Sequence, residues 1–401
     1  MFDVLGLVAA FGGKALSVYV AGYLGFKVLP KPENYRRLMR VTFLRTKLFL
    51  KEGEKEVFPR LIKQTKEEWW FVFKYHIPPG MSVQQFQTKA PEISAAFNGE
   101  AVIHGEGNQL TIEVLRRPLP GLEYYDSRKI EPLTEGVSIP IPLGYGRKGL
   151  EVADLAKAPH GIDAGESGEG KSVFLRQVIT TLVLLKSPEQ VRFTLIDLKG
   201  GVELGMFKAL PHIDTFVRDI QEVGKVLSKV SRMLDVRGEM LERMEAVSIE
   251  AYNRKALEPL PYHVVVIDEM AEVEDTTLIQ RIARLGRFCG VHLLMATQRP
   301  DANVFDGQIK ANTPLRVCFR TVNGVNSRII LDNEHAAKLP PIKGRAIVQQ
   351  GTERQVQALM LDEEVARKLI AIRITELGGA ESDGHHEQSH REGRRDADRY
   401  F

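Results

Sequence analysis

Gly165-Glu166-Ser167-Gly168-Glu169-Gly170-Lys171-Ser172 decides how the rest of this 401-residue chain is read. The octet fits G-x-x-x-x-G-K-[ST], and its context makes it informative: His160-Gly161-Ile162-Asp163-Ala164 before it reads as a short strand, Val173–Leu185 after it as an apolar helix. Glycines at these spacings let successive backbone N–H groups converge on one phosphate, and the helix N-terminus adds its partial positive charge. Lys171 is expected to reach the β and γ phosphates, and the Ser172 hydroxyl to ligate magnesium. At ordinary glycine usage of about 7%, a chance match in a chain of this size is on the order of one in a hundred. Residues Gly165, Glu166, Ser167, Gly168, Glu169, Gly170, Lys171 and Ser172 are therefore the expected nucleotide-binding loop, with ATP and Mg2+ as cofactors. Glu166 and Glu169 are unusual in a loop built for an anion, and their side chains are expected to point to solvent or to a neighbouring subunit. Asp163, in what should be a buried strand, needs a partner that the sequence does not name, because a lone buried carboxylate is expensive.

Working outward, His263-Val264-Val265-Val266-Ile267-Asp268-Glu269 is an apolar run ending in two acids. A central parallel strand delivers acids in this way at its C-terminal edge, where ligands bind in open α/β sheets. Asp268 is expected in the magnesium shell and Glu269 on the attacking water, since phosphoryl transfer asks mainly for positioning and charge neutralisation. Two further strands, Val191–Leu198 and Val291–Ala296, end in Asp197-Leu198-Lys199-Gly200-Gly201 and Thr297-Gln298-Arg299-Pro300. Gln298 stands where an amide would sense the γ phosphate or align water; Lys199 faces substrate, nucleotide or a solvated turn. From about Gly144 to Asp362 apolar β-branched runs alternate with helical stretches, the pattern of a mostly parallel α/β sheet.

The remainder of the chain sets the domain plan. Hydrophobic residues make up 43% and charged residues 27%, which excludes a disordered, collagenous or wholly membrane-embedded protein. Two cysteines, Cys289 and Cys318, cannot build a disulfide framework and fit a reducing, cytosol-facing body. The formal net charge of +3 conceals an asymmetry: Lys27 to Lys66 holds twelve Lys and Arg against four Glu. Such a stretch meets nucleic acid, an anionic membrane surface or water. Val4 to Phe26 is apolar except for Lys14, which leaves a membrane span, an interfacial amphipathic helix and a core helix open. The expected plan is an apolar segment over 1–30, a basic helical linker over 31–66, a small βαββ subdomain over 67–118, a Pro-rich linker over 119–143, the main α/β domain over 144–377 and a polar, disordered tail over 378–401. His385, His386 and His390 in that tail lack companion ligands for a metal.

With these residues in hand, the chain resembles the FtsK/SpoIIIE family of hexameric DNA-translocating ATPases over roughly residues 65–362. The resemblance rests on His160–Ser172, on Leu195-Ile196-Asp197-Leu198-Lys199-Gly200-Gly201-Val202-Glu203, on Pro261–Glu269, on Gly290–Pro300 with its ATQRP string, and on Ile309-Lys310-Ala311-Asn312 leading to Ser327-Arg328-Ile329-Ile330-Leu331-Asp332. It implies a RecA-like P-loop NTPase core, ATP hydrolysis coupled to movement of DNA, a homohexameric ring and an arginine acting on the neighbouring subunit's site. Arg237, Arg316 and Arg328 are the candidates for that arginine. It also implies DNA contacts from pore loops, for which Lys199, Arg299 and Lys310 are the candidates. The Asp-Leu-Lys-Gly-Gly form is most similar to coupling proteins of conjugative and integrative elements in Gram-positive bacteria. That similarity implies a cytoplasmic motor, an N-terminal segment meeting the inner face of the membrane, and conjugation-machinery proteins as partners. Nothing after residue 362 has the length or apolarity of the winged-helix domain that reads an orientation sequence, so grip on DNA is expected to be independent of sequence. FtsK-like ATPases also drive protein export in specialised secretion systems; those usually carry several ATPase modules, whereas a single phosphate loop is found here.

Overall fold

The computed structural model describes residues 32–66, 70–200 and 203–379. The chain divides into two units, Met1–Pro118 and Leu119–Phe401.

In the first unit, helix α1 (Pro32–Arg45) and a hairpin of β1 (Leu50–Glu52) and β2 (Lys55–Val57) lead into β3 (Arg60–Lys66) and β4 (Trp70–His76). Helices α2 (Val83–Gln87) and α3 (Ala90–Phe97) follow, then β5 (Glu100–Glu106) and β6 (Gln109–Leu115). The four long strands form an antiparallel sheet in the order β3-β4-β6-β5. Alternation along β4 and β6 buries Phe71, Phe73, Tyr75, Leu110, Ile112 and Val114, and the helices cover that face with Phe86, Ile93 and Phe97. Tyr35, Met39 and Phe43, spaced as one face of α1, join the same core. The basic stretch 31–66, expected as a helical linker, is thus helical only to Arg45. Its last seven residues, Arg-Leu-Ile-Lys-Gln-Thr-Lys, are an edge strand, a position that tolerates exposed cations.

The second unit opens with β7 (Glu123–Tyr124) and α4 (Ser127–Ile130), followed by β8 (Pro140–Gly146), β9 (Gly149–Asp154), β10 (Gly161–Ala164), α5 (Lys171–Leu185), β11 (Val191–Ile196) and β12 (Ile213–Val217). Next come α6 (Ile220–Arg243), α7 (Ile249–Asn253), β13 (Tyr262–Ile267), α8 (Thr277–Cys289), β14 (Val291–Thr297), α9 (Gly307–Ala311), β15 (Leu315–Phe319) and α10 (Gly324–Leu331). The unit ends with β16 (Arg345–Gln350), β17 (Thr352–Gln357), β18 (Leu359–Met360) and α11 (Glu363–Gly379). Among the described residues one sheet has the order β12-β11-β13-β14-β10-β15-β16-β17-β8-β9. Pairings from β12 to β15 are parallel, and those from β15 to β9 antiparallel.

Both faces of this sheet are covered. Val264 and Val266 of β13 pack with Phe174, Val178 and Leu182 of α5, while Val265 and Ile267 pack with α6 and α8 residues such as Val230, Leu234, Ile279 and Ile282. The near-continuous apolar run of β13 is what a strand buried on both sides requires. Residues 119–143, expected as a linker, instead contribute Tyr125, Ile130, Ile139 and Ile141 to this core. Pro140 and Pro142 lie within β8 because β17 pairs with it only at Tyr145, so the ladder asks little of their missing N–H groups.

Expectations for residues 4–26 and for the tail histidines lie outside the described residues, and α11 runs to Gly379, into the start of the expected tail. Among the described residues no helix is long and apolar enough to cross a membrane.

Candidate nucleotide site

The loop 165–170 connects the end of β10 to the first turn of α5, so the C-terminal edge of a central strand hands directly to a helix N-terminus. Gly168 and Gly170 have φ of 83° and 128°, conformations that L side chains rarely adopt. A Cβ at Gly165 would lie 2.6 Å from the Cβ of Phe319, so this glycine also allows β15 to approach the loop. The loop is tethered on both sides: Gly165 N donates to Thr297 O at 3.3 Å, and Glu166 N to Arg320 O at 3.1 Å.

Lys171 and the acids at the end of β13 converge. Lys171 Nζ donates to the Asp268 carbonyl at 3.2 Å and lies 3.3 Å from Asp268 Oδ1, with both side chains buried. Burial opposes the charge on Lys171, but Asp268 and then Asp163 outweigh it and hold the ammonium above its ordinary pKa. Glu269 Oε1 accepts from Thr297 Oγ1 at 2.6 Å and from Gln298 N at 3.0 Å. Lys199 Nζ pairs with Glu269 Oε2 at 2.9 Å. Burial would raise the Glu269 carboxyl, yet the Thr297 hydroxyl and Lys199 keep it below the ordinary carboxylate range. Lys199 itself is pushed down, first by burial and then by the nearby Lys171. Asp197, fully buried, accepts from Lys199 N at 3.2 Å and Leu204 N at 2.9 Å, which fixes the turn that presents Lys199.

Asp163 faces the α5 side of the sheet, beside Ala296 and Val317 in register. Neither of its oxygens has a hydrogen-bond partner among the described residues, and burial drives its carboxyl well above the usual range. The charge of the nearby Lys171 opposes that rise. Asp268 Oδ2 is likewise buried with no partner among the described residues. A carboxylate with one oxygen on Lys171 and the other unpartnered, together with the Ser172 hydroxyl on the first turn of α5, supplies the oxygen donors that a small divalent cation takes.

Several expectations are revised. Glu169 does not point to solvent: its carboxylate accepts from Arg320 Nη2 at 2.5 Å within the same chain. Arg237 is buried on α6, with Nη1 donating to the Cys289 carbonyl at 2.9 Å at the end of α8, so its guanidinium is not presented to a neighbour. Burial lowers it to about 10. Arg316 is held by Thr313 O, Ile330 O, Lys310 O and Asp332. Arg328 is half exposed and pairs with Glu334, which leaves it the accessible member of the three. Lys199 sits on Glu269 rather than on an open face, and Lys310 is engaged by Asp332. Arg299 is exposed, and Gln298 is half-buried at the strand end beside Glu269. Sequence reasoning missed Thr297, Asp197 as an anchor and Arg320; each stands at a strand end, which is the signal they share.

Such a loop, helix N-terminus, lysine and paired acids on a mostly parallel, doubly covered sheet define a RecA-like P-loop ATPase fold. Residues 123–302 match the FtsK/SpoIIIE family, and the chain carries a domain of that family. It is 34% identical over 295 residues to the DNA translocase FtsK of Lactiplantibacillus plantarum, an alignment covering 67% of this chain and 37% of the relative. The chain therefore spans little more than a third of that curated relative's length. Among solved structures it is similar to the monomer form of the pCW3 conjugation coupling protein TcpA with ATPγS, at 26% identity and a TM-score of 0.58, covering 84% of this chain and 99% of that one. It is also similar to the cytoplasmic domain of the type VII secretion ATPase EccC of Thermomonospora curvata, at 25% identity and a TM-score of 0.52, covering 63% of this chain and 32% of that one.

Proposed function

We propose that this chain is an ATP-driven DNA translocase that works as a homohexameric ring in conjugative or mobile-element DNA transfer. The observation that carries the reading is the buried pairing of Lys171, which directly follows the loop 165–170, with Asp268, beside a Glu269 held by Lys199. In this reading the backbone N–H groups of the loop and Lys171 hold the β and γ phosphates of ATP. Ser172 and Asp268 would hold Mg2+, which neutralises developing phosphate charge. Lys171 then exchanges Asp268 for phosphate oxygens. Glu269, kept ionised by Thr297 and Lys199, accepts the proton of the attacking water, and Gln298 aligns that water. Arg328 is the candidate supplied to the adjoining subunit, and Arg299 the exposed candidate for the DNA backbone. Support for DNA as cargo comes from the family match and from the names of the FtsK and TcpA relatives.

ATPase turnover of the full chain with and without duplex and single-stranded DNA tests this. Stimulation by either at low salt, fading as salt rises, is expected. A second reading, ATP-driven protein export, draws on the likeness to EccC. It gains if turnover ignores DNA and responds to a secreted protein. Lys171→Ala is expected to abolish turnover in both cases.

A further inference from the structure

An acid in the middle of an anion-binding loop calls for a physical explanation. Glu169 lies two residues before Lys171, and its side chain is 11% exposed. Left alone, its charge would repel every phosphate that the loop is shaped to receive. Three contacts fix it: its N–H donates to Glu166 O at 3.2 Å, its carbonyl accepts from Gly344 N at 2.8 Å, and its carboxylate accepts from Arg320 Nη2 at 2.5 Å.

Arg320 directly follows β15, the strand whose Phe319 closes on Gly165 and, through its ring edge at 3.1 Å, on the position of a Gly170 Cβ. The carbonyl of Arg320 holds the start of the loop at Glu166, and its guanidinium holds the middle at Glu169. One residue thus ties two points of the cradle. Its Nε–H is buried and has no partner among the described residues, whereas the Nε and Nη1 of Arg316 both donate to backbone carbonyls.

We propose that Arg320 is a positioning residue of the nucleotide site. By pairing with Glu169 it cancels an acid built into the phosphate loop and so sets how strongly the loop attracts charged ligands. This rests on the phosphate-binding reading of residues 165–172. The pair is part of the chain itself, so the neutralisation needs no neighbouring subunit.

Titration calorimetry of the full chain with ATPγS and with ADP tests the proposal, with the unfolding midpoint of each variant measured alongside. Arg320→Gln is expected to weaken ATPγS by about tenfold or more, and ADP by less, because the repulsion scales with ligand charge. Arg320→Lys, which keeps the charge, is expected to retain most of the affinity. The double variant E169Q/R320Q removes both charges and is expected to return ATPγS affinity to within about threefold of the parent. The proposal is overturned if R320Q binds as the parent does, if both nucleotides weaken equally, or if the double variant is no tighter than R320Q. Lys171→Ala binding ATPγS undiminished would instead overturn the phosphate-loop reading itself.

Discussion

Replacing Lys171 with Met keeps the length of the side chain and removes its charge. In the folded chain this strips the ammonium from Asp268 and leaves Asp163, Asp268 and Glu269 facing Lys199 as the cation that remains near them. Removing one member of a buried ion pair costs about 3–5 kcal/mol, mostly from the charge left behind. Two effects soften that figure here. Lys199 already reaches Glu269 at 2.9 Å and acts favourably on Asp268, and burial has already raised the pKa of Asp268, so protonation is an accessible relief. A net loss of about 2–4 kcal/mol at pH 8 is expected. Relief by protonation becomes cheaper by about 1.4 kcal/mol for each pH unit of acidification, so the deficit relative to the parent should shrink towards pH 6. Urea unfolding of nucleotide-free full chain, followed by circular dichroism at both pH values, measures this. The double variant K171M/D268N should recover most of the loss, since it removes the stranded carboxylate. A K171M variant as stable as the parent at pH 8, or a deficit that grows on acidification, would refute the account of the site as a self-neutralised charge cluster.

Two other expectations follow from buried groups away from the phosphate loop. His160 and His263 are buried and held neutral, with pKa values pushed down to about 4 and about 3, chiefly by burial. Between pH 6.5 and about 4 the unfolded chain binds protons that the folded chain refuses, so stability should fall with acidification by about 1.4 kcal/mol per pH unit per histidine. The unfolding midpoint from pH 7 to pH 5 reads this, and a His263→Asn variant with an unaltered slope would contradict it. Arg237→Ala should cost about 1.5–3 kcal/mol of stability, because the Cys289 carbonyl at the end of α8 loses a charged donor. Turnover per folded chain should stay within about twofold of the parent. A collapse of turnover at unchanged stability would restore Arg237 to the catalytic candidates.

The phosphate loop and the acids at the end of β13 were legible in the sequence because their chemistry is local. Glycines at fixed spacing impose backbone conformations, and a run apolar on every position must be buried on both sides of a parallel sheet. Those two facts place Lys171 and Asp268 at the same sheet edge without any knowledge of distant contacts. The division of the first unit was less legible. A cationic strand such as β3 reads like a solvated helix until its aromatic neighbour β4 is seen to pair with it, and Pro140 with Pro142 read as a linker until β17 is seen to leave their side of β8 largely unpaired.

What tertiary structure alone decided was which charge meets which. Arg237, Arg316 and Arg328 are indistinguishable as letters, yet one is buried on helix-terminal carbonyls, one is tied into a loop and one is half exposed. Lys199 was open between substrate, nucleotide and solvent, and folding sets it on Glu269. Glu169 and Arg320, 151 residues apart, form a pair that no spacing rule could announce. Backbone conformation follows from neighbours along the chain, whereas the partner of a buried charge follows from which strands lie side by side, and strand order is fixed only when the whole sheet assembles.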